Sequence, residues 1–526
     1  MRSPIIAAPS GAVKLDGFEA WVVRNSGLLA LGVVVVAFAV GLACADCSYL
    51  NPDEAMHFDV ASPRTWLGAY EGSRKVSHPP LFILVLHGML FIGRTELILR
   101  LPSLVSGTAA LWVTFAWLRR SLGALPGLAG LGFMALSHMG ISASTEVRQY
   151  GLLLFFVCSS LYATERALTE RSVFWTIAQG ILLLGALLTH YTAVVVILAL
   201  PLYVLVRALV EGVPRRILLT FGMDYVVLAT LFVWLYFTHI RRAIRGPSAS
   251  INMYHLRPYY YIPASETLLG FVHRSLTGTF SYAVGAHRLP FLSMLVFLAG
   301  LTALLTGRTK SRRLMALLVG CPFAVGFAAA IAEVFPFAGS RHQMYLLPFL
   351  AAGIAASLAW LPRGVSAPLL LLTGAIVTPL WANRPAPDND CRVTPKRDMT
   401  EAIGYVSKTI PRGSPLIADY QTRALLRYYL AANDTNFVGE HLGDYLVPVS
   451  RTFDFRADEV FDQVMESARV LGLPPGETLW VVSAGWVDPN LSLRFSGGNC
   501  SVKKFGRISV IRILNWDQAQ TAPPPK

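Results

Sequence analysis

Two adjacent carboxylates, Asp53 and Glu54, stand in the run Asn51-Pro52-Asp53-Glu54-Ala55-Met56-His57 and are placed for proton chemistry. They follow closely on an unbroken apolar stretch, Gly27 to Ala45, so they lie at the edge of the layer that stretch occupies. Partial loss of water there raises a carboxylate's proton affinity and suits it to general-base work. The plainer reading is a capping role, with Asp53 accepting from backbone N–H groups of the helix that follows. The same loop closes with Arg74, Lys75 and Ser77-His78-Pro79-Pro80-Leu81, where prolines fix the chain and open a short helix. His78 there holds either a phosphate or a loop carbonyl, and Lys75 adds charge that an anionic headgroup would feel. Next comes Ser144-Thr145-Glu146-Val147-Arg148-Gln149-Tyr150, in which Glu146 and Arg148 either neutralise each other or face a polar site. His190-Tyr191 and Gly339-Ser340-Arg341-His342 also end or open apolar runs. The planar fork of an arginine at that depth suits a lipid-linked phosphate, and snorkelling to bulk headgroups is the alternative. A further stretch carries Arg241, Arg242, Arg245, His255, Arg257 and Tyr259-Tyr260-Tyr261, which suits an interfacial belt as well as sugar stacking.

The elements that must position these residues are membrane helices. The chain is 54% hydrophobic and 14% charged, with a mean hydropathy of +0.51, where a soluble domain carries roughly 25% charge. Besides 27–45, apolar runs lie at 98–118, 122–141, 147–164, 173–189, 192–209, 217–237, 290–306, 314–332, 343–360 and 365–382, each near the ~20 residues that cross a bilayer. The sequence therefore predicts a polytopic α-helical membrane protein of about eleven transmembrane helices. Pro79 to Ile92 is apolar but short, which suits an interfacial or re-entrant helix.

The net charge of +14 falls in short basic clusters between spans, which marks topology and excludes a nucleic-acid stripe. Arg119-Arg120, Arg166 with Arg171, Arg207 with Arg215 and Arg216, Arg308 to Arg313, and Arg363 fall on the side of the N-terminal segment 1–25, which is then cytoplasmic. The module 26–382 sends loops 46–97 and 238–289 to the other face, together with the tail 383–526. That tail alternates short β-like runs (415–420, 479–484, 507–514) with helical ones such as 422–430, and reads as an extracytoplasmic α/β domain. In an oxidising compartment Cys391 and Cys500, which bracket it, are candidates for a disulfide.

Asp53-Glu54 after the first helix, His78-Pro79-Pro80-Leu81, Gly93 through Glu96 to Arg100-Leu101-Pro102, and Arg148-Gln149-Tyr150 form an ordered series over roughly residues 25–360. It resembles the GT-C superfamily of membrane glycosyltransferases, in the bacterial branch related to protein O-mannosyltransferases and the lipid A aminoarabinose transferase. The resemblance implies a sugar donor on a polyprenyl phosphate, with transfer on the external face of the cell (inner) membrane and inversion at the anomeric carbon. It implies Asp53 as the base, Glu54 as an assisting or positioning group, and His78 near the donor phosphate. Arg148 and Tyr150 match the family's Arg-x-Tyr element, and Arg341 matches the basic residue opening a late helix near that phosphate. Lys75, Glu146, His190, Arg257 and His342 complete the candidate substrate-binding set. The first loop shows no assignable metal set, so a divalent-metal requirement stays open, as does the acceptor: lipid, glycan or protein. A transporter or flippase of a lipid-linked or anionic substrate is the rival reading. Against it, the charges gather at one face and no pair of broken helices repeats in two halves.

Overall fold

Where lipid surrounds the chain, every backbone polar group must be satisfied within the segment, so the apolar runs become helices. The computed structural model describes residues 17–76, 78–242, 256–285, 290–361 and, of the C-terminal part, chiefly 393–411, 416–431, 479–486 and 499–516. Helix α1 (Gly17–Cys47) leads to three short helices, α2 (Pro52–Ala61), α3 (Trp66–Lys75) and α4 (Pro80–Met89). Then follow α5 (Glu96–Ser121), α6 (Ala124–Leu136), α7 (His138–Thr145), α8 (Tyr150–Glu170), α9 (Val173–Thr189), α10 (Ala193–Glu211) and α11 (Arg215–Leu235). The bundle continues with α12 (Leu268–Val284), α13 (Pro290–Leu305), α14 (Lys310–Ile331) and α15 (Leu347–Ala356), the last preceded by a 3-10 turn, Arg341–Leu346.

Ten of the eleven apolar runs coincide with these helices, and the eleventh, 365–382, lies outside the described residues. Seven helical segments among the described residues are long and apolar enough to cross a membrane, or eight with a bent pair counted as one. Val35, Val36, Met223, Val226 and Phe291 are exposed on α1, α11 and α13, as lipid-facing positions are.

The bent pair corrects the expected straight span at 122–141. Ser137 ends α6 and caps α7, accepting from the Gly140 N–H at 3.0 Å, and the two helices meet at 61°. A Cβ on residue 140 would lie 2.2 Å from the Met134 carbonyl oxygen, so glycine permits the bend. Close approach is set by small residues elsewhere too. A Cβ at Gly151 would meet the carbonyl oxygens of Ser103 and Ala143 at 2.5 and 2.8 Å, so this glycine lets the start of α8 sit against α5 and α7.

At the opposite end of the bundle Arg207 ties α10 to α8. Its guanidinium donates to Glu165 at 2.6 Å, to the Tyr203 hydroxyl at 2.7 Å and to Glu211 at 2.9 Å. A buried cation with every partner supplied is a structural staple.

The C-terminal part is α/β, as its alternating pattern predicts. Helix α16 (Lys396–Thr409) and helix α17 (Tyr420–Ala431) accompany strands β1 (Leu416–Ala418), β2 (His441–Leu442), β3 (Tyr445–Leu446), β4 (Leu479–Ser483), β5 (Cys500–Phe505) and β6 (Ile508–Ile513). The main sheet has the order β1-β4-β6-β5, with β1 parallel to β4 and the rest antiparallel; β2 and β3 pair separately. The three β-like runs became β1, β4 and β6, and the polar strand β5 was not legible as one. Cys500 opens β5, and Cys391, its expected disulfide partner, lies outside the described residues. Among the described residues Cys47, at the end of α1, is disulfide-bonded.

Candidate active site

Asn51, Pro52, Asp53 and Glu54 are the first residues of α2, and their types suit those places. The Asn51 side chain accepts from the Glu54 N–H at 2.9 Å while Glu54 accepts from the Asn51 N–H at 2.8 Å, a reciprocal capping box opened by Pro52. Successive residues of a helix point about 100° apart. Glu54 therefore turns into the protein while Asp53 turns toward Arg148 and Arg341.

Glu54 is fully buried and spends its oxygens on structure. Arg100 of α5 grips it with two bonds of 2.8 Å, and the Val147 N–H donates to it at 2.7 Å. The same guanidinium donates to the carbonyls of Ala45, Ser48 and Tyr49, the otherwise unsatisfied end of α1. One buried ion pair thus ties α1, α2, α5 and the turn before α8. Both Glu54 oxygens are thus engaged in holding these elements together, an arrangement that suits the expected positioning part. Either Arg100→Ala or Glu54→Ala strands a buried charge. Each is expected to destabilise the protein by about 3–5 kcal/mol, read as a lowered unfolding temperature in detergent.

Asp53 meets two arginines that are distant in sequence. Arg148, buried in the turn before α8, and Arg341, half-exposed at the start of its 3-10 turn, both donate to Asp53 Oδ2, the latter at 2.5 Å. Burial pushes the Asp53 carboxyl up, but the two guanidinium groups outweigh it and hold the group well below the usual carboxylate range. The raised proton affinity expected from position is thus reversed, because a pair of cations faces the carboxylate.

Each arginine is held from behind. The Ser103 hydroxyl donates to the Arg148 carbonyl at 2.8 Å, and the Arg148 guanidinium lies 5.5 Å from the Tyr150 ring centre. Arg341 follows Gly339, which has φ +64° and would place a Cβ 2.3 Å from the Gly278 carbonyl carbon. The Gly339 N–H and the Thr279 hydroxyl both donate to Gln343 Oε1, at 2.6 and 3.0 Å.

Four histidines stand in a row beside this clasp. The His57 and His78 rings stack with centres 5.1 Å apart, His78 lies 6.3 Å from His190, and His190 lies 6.4 Å from His342 and 5.2 Å from Tyr150. Burial, and then the positive charge of Arg148, lowers His57 to about 4; burial holds His78 and His190 well below their ordinary value. These rings are neutral donors and acceptors at pH 7. His57 follows Asp53 by one helical turn, and its Nδ1–H donates to the Asp53 carbonyl at 2.7 Å, with Nε2 facing the Gln149 side chain at 3.0 Å. Sequence reading passed over His57 as a site residue, although its i+4 spacing from Asp53 was the signal.

Glu146 caps the end of α7 and accepts from Ser142. Burial raises its carboxyl to about 7, against the pull of Arg148. One candidate is not brought in: Arg257 is exposed in the separate turn Arg257–Tyr259 and shares none of these contacts; the Lys75 side chain lies outside the described residues. Among the described residues no group of three or more His, Cys, Asp or Glu side chains is arranged to hold a metal ion.

A carboxylate clasped by two arginines, with a row of neutral imidazoles beside it, forms a polar cluster at one end of the helix bundle. A family model described as dolichyl-phosphate-mannose-protein mannosyltransferase matches residues 77–240, which include His78, Arg100, Arg148 and His190. The crystal structure of ArnT from Cupriavidus metallidurans in the apo state is similar with a TM-score of 0.52 at 16% identity, covering 97% of this chain and 100% of that one. The same enzyme bound to undecaprenyl phosphate is similar at 0.54 and 16%, over 94% and 98% of the two chains. An Archaeoglobus fulgidus oligosaccharyltransferase is similar at 0.46 and 12%, over 92% and 73%. No curated protein sequence matches the chain. The family match thus covers residues 77–240, and over nearly the whole chain the fold is similar to that of ArnT.

Proposed function

We propose that the protein is an inverting glycosyltransferase that moves a sugar from a polyprenyl-phosphate donor to a hydroxyl on a lipid, glycan or protein at the extracytoplasmic face. The observation that carries this reading is the clasp of Asp53 by Arg148 and Arg341. One carboxylate and two guanidinium groups are the parts the chemistry needs: a base for the attacking hydroxyl and a cationic seat for the leaving phosphate. The ArnT structure with undecaprenyl phosphate supports a donor of that class.

In the ligand-free arrangement the base and the phosphate seat neutralise each other. A donor phosphate that takes the two arginines releases the Asp53 carboxylate and returns its basicity. The acceptor oxygen then attacks the anomeric carbon as its proton passes to Asp53. The bond from that carbon to the phosphate oxygen breaks, and its electron pair leaves on the phosphate, held by Arg148 and Arg341. One displacement inverts the configuration. The neutral histidines stand beside this clasp as uncharged hydrogen-bonding groups for sugar and phosphate oxygens.

Glu146 sets a pH dependence. Its carboxyl is neutral below about pH 7 and becomes an anion above it, competing with the donor for Arg148. A polyprenyl phosphodiester keeps a constant charge over this range, so its affinity is expected to fall as pH rises from about 6 to about 8. Glu146→Gln should remove that fall and retain the tighter binding at pH 8. An equal fall in both proteins would detach Glu146 from the donor site.

The reading is tested in cells by mass spectrometry of lipids and surface glycans from the parent, from Asp53→Asn and from a deletion strain. One glycoform lost in both mutants is expected, and its missing mass and carrier name the sugar and the acceptor. Unchanged glycans in both would overturn it.

A further inference from the structure

Three consecutive residues of the C-terminal part grip the membrane module around its base. Arg427 of α17 makes a two-pronged ion pair with Asp59 of α2, at 2.8 and 2.9 Å. The next residue, Tyr428, donates its hydroxyl to the Arg94 carbonyl at 2.5 Å and packs edge-on against Phe58 of α2. The third, Tyr429, takes the Leu50 N–H at 3.0 Å and donates to the Glu96 carboxylate at 3.1 Å. Leu50 enters α2 and Glu96 opens α5, the helix that carries Arg100. Consecutive helical residues fan about 100° apart, so these three reach three sides of one junction. A second strap runs beside them. Lys396 of α16 pairs with Glu96 at 3.1 Å, and the Tyr49 N–H donates to the Thr394 carbonyl at 3.1 Å. Helix α2 itself is only ten residues long, too short to hold its place unaided.

We infer that α17 sets the position of the base in α2, with Arg427 and Tyr429 as positioning residues for transfer. Their contacts described above are with Asp59, Leu50 and Glu96, none of them part of the clasp. Both fix the helix whose first turn carries Asp53, and a displacement of about 1 Å there is felt in the reaction rate. The C-terminal part thereby acts on the reaction through the catalytic helix, in addition to any contact it makes with an acceptor. The inference rests on the proposed transfer, so its test includes a readout that needs no turnover.

The experiment uses the full-length protein in lipid nanodiscs as the parent, Arg427→Ala, Tyr429→Phe, and the exchanged pair Arg427→Asp with Asp59→Arg. Hydrogen exchange read by mass spectrometry follows 52–61, and transfer kinetics follow kcat and donor KM. The expected result is faster exchange in 52–61 for both single variants, with exchange in α8 and α10 unchanged. Where transfer is measurable, kcat falls between about tenfold and a hundredfold with donor KM within twofold. The exchanged pair is expected to recover most of both losses. Parental exchange in 52–61 in the single variants, or an exchanged pair no better than Arg427→Ala, would overturn the inference. Altered exchange with no glycosyl transfer in any protein, the parent included, would uphold the coupling and reject the proposed reaction instead.

Discussion

Asp53→Asn is expected to abolish sugar transfer while leaving the protein folded and its donor bound. The substitution keeps the size and shape of the side chain and removes the charge, so the capping box of Asn51 and Glu54 and the grip of Arg100 are untouched. What is lost is the acceptor of the hydroxyl proton. Removing a general base costs about 10²- to 10⁴-fold in rate, measured as kcat with purified protein and a polyprenyl-phosphate sugar. Donor affinity should rise at the same time, because Arg148 and Arg341 no longer have an internal anion to satisfy. Transfer within twofold of the parent would remove Asp53 as the base.

Arg341→Ala is expected to lower kcat/KM for the donor by about 10²- to 10³-fold, the usual loss when one pre-organised partner of a developing negative charge is removed. Arg341 is the cleaner probe of the two arginines. Its side chain is 43% exposed, against 4% for Arg148, so its loss leaves no buried cavity and no stranded core charge. Arg341→Lys should recover only part of the activity, because an ammonium cannot present the planar fork that spans two oxygens. An unchanged donor dependence in Arg341→Ala would place the phosphate elsewhere.

The membrane part of the fold was legible because lipid enforces a simple rule: runs of apolar residues become helices, and ten of the runs did. The break at Ser137 was not, since a serine in an apolar run gives no sign whether it caps a new helix or faces a neighbour. In the site, Asp53, Arg148 and Arg341 could each be singled out by type and by place at a span end. Their meeting on one carboxylate oxygen could not, because the contacts span 95 and 288 residues. Asp53 and Glu54 stand side by side in sequence, and the arginine at position 100, 46 residues on from Glu54, sets the buried Glu54 apart from the half-buried Asp53.

The most direct test of the clasp is the binding of a polyprenyl phosphodiester to the parent protein and to Asp53→Asn in nanodiscs at one pH and salt concentration. If the donor phosphate replaces Asp53 on the two arginines, the variant binds more tightly than the parent and transfers no sugar. Weaker binding by the variant would contradict the exchange and return Asp53 to a role in holding the donor.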